Sequence, residues 1–240
     1  MFDNFFFIGL PYAALTVFLV GSIFRYFRFG FKVSSLSTQF FESRDLFYGS
    51  RPFHWGIIFL FFCHAAAFLF PRSIVLWGSV PLRLIIIEVV AFGFALSALF
   101  GLIILIQRRF KNRRILAVTS RMDVFVYIIL LTQICSGIWV AYFSRWGSLW
   151  FASVLTPYLK SIFILNPDVA AVAAMPLSIK IHIISAFILI GMIPFTRFMH
   201  FLVYPFSYLW RSSQYVIWNW DRKKIRNSGK LVNGVRSKNN

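Results

Sequence analysis

Five stretches of about 20 apolar residues limit what this chain can become, because a helix of that length crosses a hydrocarbon core of about 30 Å. They run approximately from Asn4 to Phe24, Pro52 to Phe70, Leu84 to Ile106, Met122 to Phe143 and Leu177 to Tyr204. Lipid offers no partner to a backbone amide, so each stretch must satisfy its own N–H and C=O groups as a helix. The expected fold is an all-α integral membrane protein, a bundle of five transmembrane helices. Composition agrees: 59% of the 240 residues are hydrophobic and 20% aromatic, too oily for a soluble domain of this size. The opening M-F-D-N-F-F-F has no basic leader and no small-residue cleavage site follows, so the first stretch is expected to be a retained span.

The formal net charge is +18, which invites a nucleic-acid reading until its distribution is traced. Of the 25 Lys and Arg residues, five lie from Arg25 to Arg51, six from Arg108 to Arg121 and eight from Arg211 to Lys238. The connections from Pro71 to Arg83 and from Ser144 to Ile179 hold two each. Positive loops stay inside, which places the first group in the cytoplasm, the N-terminus outside and the C-terminus in the cytoplasm. The charge thus sets topology and meets anionic lipid, and no nucleic-acid partner is expected. The expected organisation is a five-helix domain over residues 1–210 and a basic cytoplasmic tail over 211–240, with too little to bury unless it docks on another protein. The connection W-G-S-L-W-F-A-S-V-L-T-P-Y-L-K is rich in aromatics and is expected as a short helix in the membrane interface.

Two cysteines, Cys63 and Cys135, lie inside spans without C-x-x-C spacing. That argues against a disulfide framework, an iron-sulfur cluster in this chain and a covalently attached haem. The four histidines, His54, His64, His182 and His200, fall in only the second and fifth spans. An imidazole in hydrocarbon is costly unless bonded, which makes each a functional candidate. On continuous helices the 10 steps from His54 to His64 cover about 15 Å, and the 18 steps from His182 to His200 about 27 Å on one face. The second and fifth spans run in opposite directions, so His54 pairs with His200 near the cytoplasmic side and His64 with His182 near the outer side. The unequal spacings require tilt or a kink, for which Pro194 is the candidate. Zinc and copper take more ligands than two histidines provide, whereas haem iron needs only two axial ones, because the macrocycle supplies the rest. Two such haems would form a path for electrons across the membrane.

The sequence resembles the membrane cytochrome b, or gamma, subunit of respiratory nitrate reductase along essentially its whole length. The likeness rests on F-F-F-I-G-L-P-Y and F-L-V-G-S-I-F-R-Y in the first span, and on F-H-W-G-I followed ten residues later by His64. It continues with R-R-F-K-N-R-R after the third span and with P-F-T-R-F-M-H and Y-P-F-S-Y-L at the end of the fifth. The resemblance implies two haems b, with His64 and His182 holding the outer iron and His54 and His200 the inner one. It implies quinol oxidation near the outer haem, with electrons passing to a cytoplasmic iron-sulfur beta subunit and a molybdopterin alpha subunit that reduces nitrate to nitrite. Counted back without gaps from Arg108 and Arg109, it places a basic residue of the quinol site at Arg83, where a member of that family has lysine; arginine donates hydrogen bonds but relays protons poorly. Glu88, on the same helix, either accepts a quinol proton or pairs with Arg83. Arg108, Arg109, Lys180 and Arg197 stand where they can meet haem propionates or snorkel to headgroups. The expected location is the cytoplasmic membrane. The alternatives are the same type of subunit serving a nitrite oxidoreductase or heterodisulfide-type reductase, and a non-redox transporter or assembly scaffold.

Overall fold

The computed structural model describes residues 2–29, 38, 41–42 and 44–202. Five helices long and apolar enough to cross a membrane run Phe2–Phe29, Arg44–Leu69, Pro81–Lys111, Arg121–Phe143 and Leu177–Phe195. They pack as neighbours in the order second, third, fourth, fifth, first. Large apolar side chains point outward, Phe61 and Val89 each 64% exposed, as lipid permits and water does not. The expected tail over 211–240 and the last residues of the expected fifth span lie outside the described residues.

Two features set how closely the spans approach. Gly56 lies so near the third span that a Cβ there would meet Phe94 O at 2.6 Å and Ala98 Cβ at 2.7 Å. Gly101, in return, would meet Gly49 O and Phe53 N at 2.5 Å. Backbone contact of this kind replaces the hydrophobic drive that helices lose in lipid.

The second span begins at Arg44, eight residues before the expected start. Its first turn is capped from outside by Glu42, whose carboxylate accepts from Asp45 N at 2.7 Å and Leu46 N at 3.3 Å. A proline in the body of a helix normally breaks it, and Pro52 here sits inside the helix.

The connection after the fourth span is not a single interfacial helix. It contains helix Gly147–Trp150, a π-turn Phe151–Leu155 and helix Thr156–Phe163. Thr156 and Tyr158 in it are each 1% exposed, packed onto the bundle. Each supplies a hydroxyl where a proline lacks an N–H. Tyr158 OH donates to Phe7 O at 2.7 Å, the carbonyl four residues before Pro11. Thr156 Oγ1 donates to Ala67 O at 3.3 Å, four residues before Pro71.

The fifth helix departs most from expectation. It ends at Met192, passes through a 3-10 turn Ile193–Phe195, extends at Thr196 (φ −119°, ψ 178°) and re-enters a 3-10 turn Arg197–Met199 before His200. The continuous helix with about 27 Å between its histidines is therefore corrected: the chain breaks around Pro194, and the two rings do not share one helical face.

Candidate functional site

The four histidines meet in two pairs between the second and fifth spans. The His54 and His200 ring centroids are 6.4 Å apart with planes at 70°. Those of His64 and His182 are also 6.4 Å apart, with planes at 36°. The first pair lies at the end of the bundle that carries Arg108 and Arg109, the second toward the opposite end.

In three of the four, Nδ1 bonds a carbonyl of its own helix or turn. His54 Nδ1 lies 2.7 Å from Ser50 O, His64 Nδ1 2.8 Å from Leu60 O and His200 Nδ1 2.6 Å from Arg197 O. Donation there makes Nδ1 the protonated nitrogen and turns the Nε2 lone pair outward. His182 differs, because its support comes from the fourth span. Its Nδ1 lies 3.1 Å from Gln133 O and 3.1 Å from Ser136 Oγ. Gly137 admits the ring, since a Cβ there would be 2.9 Å from His182 Cε1. The Gln133 amide nitrogen also lies 3.2 Å from His182 Nε2, while its Oε1 accepts from Ser185 Oγ. Phe151, in the π-turn, stands edge-on to the His64 ring at 5.2 Å.

The donor set fits a metal that brings its own equatorial ligands. Among the described residues no three His, Cys, Asp or Glu side chains cluster to hold a bare metal ion. A metal–imidazole bond of about 2.0 Å, with about 1.2 Å from each nitrogen to its ring centre, sets two trans imidazoles roughly 6.4 Å apart. Both pairs have that separation. A metal held by His182 would use the Nε2 lone pair that the Gln133 amide now meets.

The basic residues near the pairs all have protein partners. Arg108 is 4% exposed; it donates to Glu42 through Nε, to Thr38 Oγ1 at 2.8 Å and to Thr38 O at 3.0 Å. Burial opposes ionisation of Glu42, but the Arg108 hydrogen bond, the two amides it caps and the Arg108 charge together hold its carboxyl below the usual range. Arg109 donates to Tyr127 OH at 3.0 Å and lies 3.6 Å from Asp123. Arg197 forks onto Asp123 at 3.0 and 3.1 Å. Lys180 pairs with Asp3 at 3.2 Å.

Arg83 and Glu88 do not pair. Arg83 is exposed and lies over the Trp77 ring, 4.9 Å from its centre. Glu88 Oε1 accepts from Ser148 N at 2.8 Å and Ser148 Oγ at 2.6 Å, which ties the connection after the fourth span to the third.

Sequence reasoning missed Arg25, Asp123, Gln133, Ser136 and Gly137. Asp123 carried a signal, because S-R-M-D is a capping-box pattern and Ser120 and Asp123 form one. Gln133 and Ser136 carried a weaker one, as polar side chains within an apolar span.

A family model described as nitrate reductase gamma subunit matches residues 3–219. The nitrate reductase gamma chain of Bacillus subtilis (strain 168) is 31% identical over 215 residues, covering 87% of this chain and 94% of that one. The respiratory nitrate reductase 2 gamma chain of Escherichia coli (strain K12) is 30% identical over 222 residues, 88% of this chain and 95% of that one. The nitrate reductase-like protein NarX of Mycobacterium tuberculosis (strain ATCC 25618 / H37Rv) is 27% identical over 222 residues, but only 33% of its own length is covered.

Proposed function

Because the chain belongs to the nitrate reductase gamma subunit family, whose members are membrane cytochrome b subunits of an oxidoreductase complex, we propose that it is that complex's dihaem, quinol-oxidising anchor. It oxidises quinol near the outer face of the cytoplasmic membrane and delivers electrons to cytoplasmic iron-sulfur and molybdopterin subunits that reduce nitrate to nitrite. The observation that carries this reading is the equal 6.4 Å separation of the two histidine pairs. A haem b held in this way would supply one-electron chemistry.

The residues of this chain do the rest. His64 and His182 would hold the outer iron, and His54 and His200 the inner one, each through Nε2 because Nδ1 is occupied. Arg109 and Arg197, both on Asp123, stand at the end of the His54–His200 pair, and Lys180 lies two residues from His182; these are the propionate candidates. Arg108 has all three guanidinium nitrogens on Thr38 and Glu42, so its first role is to hold the connection between the first two spans. Arg83 offers hydrogen bonds to quinol. Glu88 keeps Oε2 outside its bonds to Ser148 and accepts a quinol proton.

The test is a haem count with redox titration of the intact complex. His64→Ala and His182→Ala should each remove the same outer haem and block quinol oxidation, and His54→Ala and His200→Ala the other. Absence of low-spin b bands in the unsubstituted complex would sink the redox reading, and loss of different haems from His64→Ala and His182→Ala would refute the pairing.

A further inference from the structure

His200 does not share a helix with His182. That helix stops at Met192, eight residues before His200, and the segment between them is held by other spans. Two neighbours do this from opposite sides. From the first span, Arg25 Nη1 donates to Pro194 O at 2.5 Å and to Thr196 O at 3.2 Å. These carbonyls flank the break: Pro194 lies in the last turn before it, and Thr196 is the extended N-cap of the turn that follows. One turn earlier on the same helix, Gly21 leaves room for Pro194, whose Cβ and Cγ a Cβ at Gly21 would meet at 2.9 Å. From the fourth span, Asp123 grips the Arg197 guanidinium with both carboxylate oxygens. Its own position is fixed by the capping box with Ser120 and by Arg109. The Arg197 carbonyl then accepts from His200 Nδ1.

We propose that Arg25 is a positioning residue for the inner haem ligand His200, holding open the break at Pro194–Thr196 with Asp123 as the counter-clamp on Arg197. The first span has no histidine of its own, so its part in the site is to set another helix's ligand. The break separates His182, on the continuous helix, from His200, which follows the extended residue Thr196 and the turn Arg197–Met199. Arg25, bonded to Pro194 O and Thr196 O, fixes the course by which His200 comes to face His54.

This inference rests on the dihaem reading, and the experiment separates the two. In the intact complex, Arg25→Leu removes the donors, and Arg25→Gln keeps N–H donors without the charge. The readouts are haem content, the midpoint potential of each haem and its low-spin EPR signal. Arg25→Leu should shift the inner haem's potential and EPR signal, or lose that haem, with the outer haem unchanged. Arg25→Gln should stay close to the unsubstituted complex. If Arg25→Leu leaves the inner haem unchanged, or shifts both haems alike, the inference is overturned. A shift in Arg25→Gln as large as in Arg25→Leu overturns it too, since the effect would then be one of charge. Should Arg25→Leu fail to assemble, Gly21→Ala, which presses on Pro194, must move the inner haem signal alone; no movement counts against the proposal. An unsubstituted complex without two bis-histidine haems would instead overturn the function on which the inference rests.

Discussion

On the proposed dihaem reading a histidine serves as a ligand only through the groups that orient it, and His182 shows this most clearly. Its partners Gln133 O and Ser136 Oγ belong to another helix, so the ring answers to changes there. Gly137→Ala would place a methyl 2.9 Å from His182 Cε1, and an imidazole fixed at Nδ1 has little room to yield. The outer haem should be lost or spectrally altered while the inner one remains, as read in reduced-minus-oxidised spectra. Ser136→Ala removes one of two acceptors, and the outer haem's affinity should weaken toward the lower end of the roughly 10- to 100-fold range of such supports. Glu88 can be tested just as directly. Glu88→Gln keeps an oxygen for Ser148 and so keeps the connection in place, but it removes a base. Quinol oxidation should then fall by roughly 100-fold or more with both haems retained; undiminished turnover would leave Glu88 as a cap alone. Arg83→Ala should weaken quinol turnover without changing haem content.

At the level of elements, prolines open gaps that other elements close. Phe7 O loses its helical donor to Pro11 and regains one from Tyr158 OH. Burial and the neighbouring Tyr12 hold that phenol above the usual tyrosine range, so it stays a donor at any working pH. Tyr158→Phe would leave a buried carbonyl without a partner, and the thermal stability of the complex should drop by an amount equivalent to about 1–3 kcal/mol. A melting curve equal to the parent's would show that water serves as well. The connection between the first two spans has an acid-sensitive counterpart. The folded-state pKa of Glu42 lies below its unfolded value, so its contribution is complete above the ordinary carboxylate pKa of about 4.3 and disappears as pH falls through the depressed value. Melts of the parent and Glu42→Gln should differ at neutral pH and converge in acid; a constant difference would contradict this.

For the whole molecule, the order second, third, fourth, fifth, first puts the two histidine-bearing spans on either side of the paired rings, with the remaining three as supports. The asymmetric charge predicts a direction. Clusters at Arg25 to Arg51 and Arg108 to Arg121 belong at one end, with four Lys and Arg in total in the two connections at the other. An epitope at the N-terminus should react on intact spheroplasts and one at the C-terminus only after lysis; the reverse labelling would invert the assigned faces.

Sequence alone determined five spans, because each span's length and apolarity act locally against lipid. It also placed the four histidines in two spans, and their opposed directions selected which could meet. The family was legible in motifs that keep their order along the chain. What only the tertiary structure decided depends on residues far apart in sequence. Arg25 meets Thr196 across 171 positions and Thr156 meets Ala67 across 89, contacts that no periodicity records. The break before His200 was hidden for the same reason: Pro194 announced a disturbance, but the course of the chain beyond it depended on Arg25 of the first span and Asp123 of the fourth, since helical rise is a local rule and the contacts that suspend it are not.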